Sequence, residues 1–447
     1  MQVARQGRMA SHQFQNAQEN RRDISNGYSC QCKPDGHFAR QTSVPAPKIV
    51  NPVIFSCINS WTTNRMKIGI TCYPTYGGSG VVGTELGIEL AQRGHEVHFI
   101  AYQQPIRLNT KQPHVFFHEV TVSQYPLFEY PPYDLALATR MAEVAEIYKL
   151  DILHVHYAIP HSVSALLARQ MLAAQPNGKA RKLPFVTTLH GTDITIVGAD
   201  RSYLPVTRYS IEQSDGVTAI SRYLKQRTVQ EFEIKNPIEV IYNFVNCDTY
   251  MRDPKAAENR CEYAGKDERI LVHVSNFRPV KRICDVIEIF DRVQKKVPSR
   301  LLLMGDGPER SRAEWLVNQK GLRNRVEFLG KVDRVYEKLS IADLLLVPSE
   351  MESFGLAALE GMACEVPTVG TAVGGVAEVV DHGRSGYLAE VGDVETMSRY
   401  AIDILSDEKR LREMGKVARW EAQTRFCSTK IIPEYEKFYE RVLERAA

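Results

Sequence analysis

Four short stretches of this chain carry residue types and spacings suited to binding or activating a small anionic ligand. In ESFGLAALE (352–360), Glu352 and Glu360 stand eight residues apart around Ser353, Phe354, Gly355 and Leu356, where a helix is expected to begin. A helix N-terminus offers N–H groups to a phosphate. Glu352, in the loop before it, can accept hydrogen bonds from sugar hydroxyls, and Glu360, about two turns in, can bind a ribose diol. Two carboxylates could also serve glycoside hydrolysis as an acid/base pair, but that chemistry has no use for the cations of the second stretch. In VSNFRPVKR (274–282), Arg278, Lys281 and Arg282 follow an apolar run directly, and a helix is expected near Ile283. Guanidinium grips oxyanions bidentately and lysine adds a point charge, so the group suits a diphosphate better than a merely solvated face. MGDGPE (304–309) follows the next apolar run and would close the same wall.

The third stretch is paired. HVHYAIPH (154–161) and TLHGTD (188–193) end two apolar runs in histidines, with Tyr157, Thr192 and Asp193 close behind. A lone strand-end histidine is usually a satisfied core residue; several polar groups at neighbouring strand ends indicate a site. No metal-ligand spacing accompanies them, and Cys30/Cys32 is too small a cluster for a metal. The fourth stretch, Gly77-Gly78-Ser79-Gly80, lies between an apolar run and a helical pattern. A dinucleotide fingerprint needs G-x-G-x-x-G and an acid at the end of the second strand. Here the spacing is G-G-S-G-V-V-G and the second strand ends in Ala101-Tyr102, which disfavours a hydride-transfer cofactor. What remains is a loop that lets a ligand approach the backbone closely, with N–H groups at a helix start.

These stretches need elements to hold them. Apolar runs at 67–73, 96–102, 152–157, 185–190, 216–221 and 238–243 read as strands, and TELGIELAQRG (84–94) reads as a helix closed by glycine. Past residue 250 the pattern restarts. Strands are expected at 269–276, 299–307, 325–330, 343–349 and 366–371, and helices at 284–296, 309–321 and 354–363. Alternating β and α elements with continuous apolar strands predict parallel, doubly wound α/β sheets. Two such halves, joined near 244–265, predict two Rossmann-like lobes facing an inter-lobe cleft. All four stretches follow predicted strands, where ligands of such sheets collect.

Composition limits the function classes. The 447 residues are 44% hydrophobic and 24% charged, as in an ordinary globular protein of two or three domains. A formal net charge of +3 gives no bulk basicity for nucleic acid or an anionic membrane. No apolar run reaches the roughly 18–20 residues of a membrane span. Nine scattered cysteines suggest reduced thiols in a cytoplasm. Residues 1–65 are Gln-, Asn-, Ser- and Arg-rich without periodicity or a signal-type apolar core, and read as a disordered or non-native extension ahead of a fold that begins at Met66.

E-x7-E as ESFGLAALE, R-x-x-K as RPVK and the glycine-rich opening loop together resemble the GT-B retaining glycosyltransferases of family 4, over essentially 66–447. ITCYPTYGGSGVVGTELG, FEYPPYDLALA, HVHYAIPH, TTLHGTDIT, YNFVN and HVSNFRPVKR resemble more narrowly the malate-accepting branch of the bacillithiol pathway. The 65-residue extension and the insert near 173–182 depart from that pattern. The resemblance implies transfer of N-acetylglucosamine from UDP-GlcNAc to the 2-hydroxyl of L-malate, with the α-anomer retained. It implies an N-terminal acceptor lobe (66–245), a UDP-sugar lobe (246–427), and a last helix (428–447) that crosses back to the first lobe. Arg278 and Lys281 would meet the diphosphate, Glu360 the ribose, and Glu352 the sugar hydroxyls, with Phe354, Gly355 and Leu356 offering backbone contacts. Gly78 and Ser79 would lie beside the donor phosphate, and Ser79 would be shared with the acceptor. His190 would stand beside the anomeric centre. Tyr157, Thr192, Arg208 and Asn243 would line the acceptor pocket, with Arg107 a further candidate for a malate carboxylate.

Departure of UDP puts negative charge on the diphosphate, so Arg278, Lys281 and a helix N-terminus would stabilise it, and no Mg²⁺ or other cofactor is expected. Retention without an evident carboxylate nucleophile suggests front-face attack. Rival readings are a family-4 enzyme with an inositol phosphate, lipid or sugar acceptor, a UDP-GlcNAc 2-epimerase, and a catalytically silent sugar-nucleotide sensor. No nucleic-acid or membrane partner is expected, and the sequence leaves a homo-oligomer open.

Overall fold

The computed structural model describes residues 65–75, 77–176, 181–253 and 255–447. The N-terminal extension (apart from Arg65), Cys30/Cys32 and residues 177–180 of the 173–182 insert lie outside the described residues. The first sheet has seven strands: β1 (Lys67–Thr71), β2 (Glu96–Ala101), β3 (Val115–Glu119), β4 (Ile152–His156), β5 (Phe185–Leu189), β6 (Gly216–Ala219) and β7 (Ile238–Val240). They lie side by side in the order β3-β2-β1-β4-β5-β6-β7, every pairing parallel. The second sheet contains β8 (Arg269–Val274), β9 (Ser299–Met304), β10 (Val326–Gly330), β11 (Leu344–Val347), β12 (Thr368–Thr371) and β13 (Gly386–Ala389). Its order is β10-β9-β8-β11-β12-β13, again all parallel.

Helices on both faces explain why the central strands are buried throughout. All positions of β4, β5 and β11 are buried. The helix Ile283–Gln294 shows the complementary pattern, burying Ile283, Val286, Ile287, Phe290 and Val293 along one stripe. Strand order reverses between β1 and β4 in one sheet and between β8 and β11 in the other. Each reversal leaves a crevice at the carboxyl ends of the strands.

The chain passes between the sheets twice, and the two passes touch. Val245 N–H donates to the Phe426 carbonyl at 3.1 Å, and Ser428 N–H donates to that of Val245 at 2.9 Å. The final helix, Ser428–Ala446, then lies against the first sheet, where Ile431, Ile432, Tyr435, Phe438 and Tyr439 share a core with Ile68, Ile70 and Phe99. Glu436 of this helix accepts from Arg93 Nε at 2.7 Å and meets His95 Nε2 at 3.0 Å. No helix among the described residues is long and apolar enough to cross a membrane.

Three expectations need correction. The helix after β1 starts at Gly78, six residues before the 84–94 segment, because the glycines and Ser79 form its first turn rather than a preceding loop. Strands β3 and β13 were not expected; each is an edge strand and is buried at only some positions, so the apolar run that marks a central strand is missing. The helices Tyr133–Tyr148 and Glu408–Arg425 were likewise not anticipated.

Candidate active site

In the first crevice, β1 leads to the helix Gly78–Gln92 and β4 leads to Tyr157. Tyr157 takes φ 94°, a left-handed value that costs a non-glycine residue strain. That turn brings its hydroxyl beside the Ser79 and Thr192 side chains. Burial raises the Tyr157 phenol, opposed by those two hydroxyl groups and by the nearby positive charge of Arg278 from the second sheet. Ser79, Tyr157 and Thr192 therefore converge, from the ends of three different strands. Tyr73, to which the sequence assigned no role, stands edge-on to Tyr157 at 5.1 Å and completes the wall.

Tyr157 also stacks on His190, centroid to centroid 5.5 Å. His190 Nε2 meets His156 Nδ1 at 2.8 Å, and burial pushes its pKa down to about 3. The imidazole is thus neutral near pH 7, and its Nδ1 makes no hydrogen bond among the described residues. Asp193 is a fastener rather than a reagent. It accepts from Ala158 N–H at 2.9 Å, His190 N–H at 3.1 Å and Gly191 N–H at 2.8 Å, and is 1% exposed. Asn243 is buried, and its Oδ1 has no hydrogen-bond partner among the described residues. The structure does not bring Arg208 to this group. It lies on the helix Leu204–Glu212 and pairs with Glu233 at 2.9 Å, its side chain 40% exposed.

In the second crevice, the loop after β8 carries Arg278, followed by a single tight turn, Pro279–Lys281. Glu350 N–H donates to the Val280 carbonyl at 2.8 Å, joining this loop to the one after β11. Lys281 Nζ meets Glu352 Oε1 at 2.5 Å, and Ser349 Oγ donates to the same oxygen at 3.0 Å. Sequence reading placed Lys281 on a diphosphate; here part of its charge is spent on Glu352. Arg278 makes no ion pair among the described residues and is the uncommitted cation of the crevice. Phe354 is 2% exposed, its ring 5.8 Å from that of Phe426, so only its backbone is available to a ligand.

Glu360 projects from the helix Leu356–Ala363, and burial raises its pKa, with Arg107 opposing. It accepts from the Tyr250 hydroxyl at 2.8 Å, and that hydroxyl accepts from Arg107 at 3.2 Å. Arg107 is a secondary candidate for an acceptor carboxylate on the sequence. Instead it reaches across to Tyr250 and to the Asp333 carbonyl at 3.2 Å, on the Glu360 side of the cleft. Tyr250 lies in the 244–265 stretch that had read as a mere connection.

The two crevices face each other. A Cβ on Gly78 would lie 3.6 Å from Leu356 Cδ2, so the helices Gly78–Gln92 and Leu356–Ala363 meet at their N-termini. At Gly191, φ 120°, a Cβ would fall 1.7 Å from Ser353 Oγ, so glycine is required for the loop after β5 to touch the loop before Leu356. The start of the helix Leu356–Ala363 with Arg278 and Lys281 on one side of a cleft, and the start of the helix Gly78–Gln92 with neutral hydroxyl and imidazole groups on the other, suit an anionic leaving group opposite a hydroxylated acceptor.

Comparison with known proteins decides the family. Residues 76–249 match the model of Glycosyltransferase Family 4, and residues 257–420 that of Glycosyl transferases group 1. The N-acetyl-alpha-D-glucosaminyl L-malate synthase of Bacillus anthracis is 50% identical over 379 residues, 85% of this chain and 98% of that protein. The chain is a family 4 glycosyltransferase. A more distant relative of this glycosyltransferase, the 2-deoxystreptamine N-acetyl-D-glucosaminyltransferase of Streptomyces fradiae, is 27% identical over 62% of the chain and 68% of that protein. Among solved structures, Anabaena HepE in complex with UDP and glucose superposes with a TM-score of 0.70 at 21% identity, covering 84% of this chain and all of that one. A glycosyltransferase from Rickettsia africae gives 0.71 at 20% identity, over 85% and 99%. The shared fold is GT-B, with which the two parallel sheets agree.

Proposed function

We propose that this glycosyltransferase transfers N-acetylglucosamine from UDP-GlcNAc to the 2-hydroxyl of L-malate with retention at the anomeric carbon, the first step of bacillithiol biosynthesis. The observation that carries this reading is the 50% identity extending over 98% of the malate-specific relative. In it, Arg278 and the start of the helix Leu356–Ala363 receive the diphosphate, Glu360 the ribose, and Glu352, braced by Lys281, the sugar hydroxyls. Ser79, Tyr157, Thr192 and Asn243 receive malate. Arg208 leaves Glu233 to meet a malate carboxylate, a move that breaks an exposed ion pair at a cost of under about 1 kcal/mol.

The bond from the anomeric carbon to the β-phosphate oxygen breaks as the malate oxygen bonds to the same face, and the hydroxyl proton passes to the departing phosphate. Asp193, with both oxygens engaged and buried, is unsuited to act as a nucleophile. A neutral His190 supports the oxocarbenium-like centre without the repulsion that an imidazolium would bring. The cations are assigned the charge of the leaving group, and no metal is required in this scheme. Incubation with UDP-GlcNAc and L-malate, followed by product mass and anomeric coupling, tests it. Formation of UDP-ManNAc without acceptor, or turnover only with another acceptor, would overturn it.

A further inference from the structure

A cavity of ≈ 610 Å³ opens at the amino ends of β6 and β7, away from the cleft, which lies at the carboxyl ends. Its size falls within the range of small-molecule sites. Val217, Ile238, Phe438 and Val442 supply an apolar floor between the sheet and the final helix. Both acids on its wall are already neutralised: Asp215 pairs with Arg169 at 3.0 Å, and Glu239 takes two contacts from Arg441 at 2.7 and 2.6 Å. The other two cations on the wall, Lys225 and Arg445, make no side-chain hydrogen bond or ion pair among the described residues. An apolar floor beneath unpaired positive charge selects a definite ligand chemistry.

We propose that this cavity binds a small amphipathic anion, its apolar body against Phe438 and Val442 and its carboxylate, sulfonate or phosphate on Lys225 and Arg445. The site is separate from the nucleotide cleft by at least the length of β6, about 13 Å at ~3.3 Å per residue. It is mechanically connected to the cleft nonetheless. The final helix forms one wall, and that helix starts at Ser428, whose N–H holds Val245 where the two inter-sheet passes touch. A ligand that braces the helix therefore bears on the crossing between the sheets.

The test uses 8-anilinonaphthalene-1-sulfonate, a fluorescent amphipathic anion, on the full chain with UDP saturating. Saturable single-site binding in the presence of UDP is expected. Lys225→Glu with Arg445→Glu should weaken it at least about tenfold, as loss of two charge-assisted contacts implies. Lys225→Ala with Arg445→Ala should weaken it less, and guards against a folding defect in the reversal. Neutral N-phenyl-1-naphthylamine should bind more weakly and be indifferent to both pairs of substitutions. Displacement of the probe by UDP, an unchanged Kd in both double variants, or equal affinity for the neutral dye would each overturn the proposal.

Discussion

Tyr250→Phe isolates the proposed ribose contact of Glu360 with the removal of one oxygen. The ring stays, keeping its edge-on packing on Tyr336 at 5.7 Å, and the lost hydroxyl is the one that donates to Glu360 Oε1 at 2.8 Å. Glu360 is buried, and burial already raises its pKa, so the carboxylate loses a donor where water does not readily replace it. A hydrogen bond to a charged group is worth about 1.5–3 kcal/mol. Arg107, released from the Tyr250 hydroxyl, recovers part of that by moving onto Glu360, leaving about 1.5–2 kcal/mol, or roughly ten- to thirtyfold in affinity. Ribose is remote from the reacting carbon, so the loss should fall equally on ground and transition states. The UDP-GlcNAc KM should rise by that factor, with kcat and the malate KM unchanged. Initial rates of UDP release with each substrate varied in turn measure this, and UDP against 2′-deoxy-UDP as inhibitors gives a second reading. Wild type should prefer UDP, and Tyr250→Phe should narrow the preference. An unchanged donor KM, or a fall confined to kcat, would refute the assignment of Glu360.

Buried histidines make stability fall in acid. His154 and His190 are held at about 3, and His161 and His273 at about 4, by burial, against an ordinary 6.5. The unfolded chain takes up these protons and the native one does not, so at pH 5.5 each costs about 1.4 kcal/mol. Asp193 and Glu360, whose raised pKa favours the native state on acidification, offset part of this. The urea midpoint should drop between pH 7 and 5.5, and a flat or rising midpoint would sink the idea. Gly78→Ala should be tolerated, since its Cβ would make ordinary contact with Leu356, whereas Gly78→Val should cut kcat at least about tenfold with UDP affinity little changed; parallel loss of UDP binding would count against that placement. Arg208→Ala should raise the malate KM more than about tenfold and leave the UDP-GlcNAc KM alone; equal effects would remove Arg208 from the acceptor site. Activity should survive EDTA, and loss restored by Mg²⁺ would show that the cations do not suffice.

Local chemistry made much of this protein legible before any fold was known. Continuous apolar runs marked the central strands because parallel strands are covered on both faces, and the polar groups just past them marked the site because ligands collect at strand ends. The edge strands β3 and β13 escaped notice because partial exposure interrupts their apolar pattern. Tyr250 and Tyr73 escaped because neither type nor spacing gave them a role; each matters only through a neighbour distant in the chain, Glu360 in one case and Tyr157 in the other. Residue types and spacing thus indicated the two-sheet α/β class and a candidate site at the strand ends, and the resemblance of the quoted motifs indicated the family. Tertiary structure alone decided that Lys281 is paired with Glu352, that Arg107 serves the Glu360 side, that Arg208 points to Glu233, and that Asp193 fastens backbone. The physical reason is that a charge seeks whichever partner and degree of burial the packing supplies, and neither is written in the order of residues.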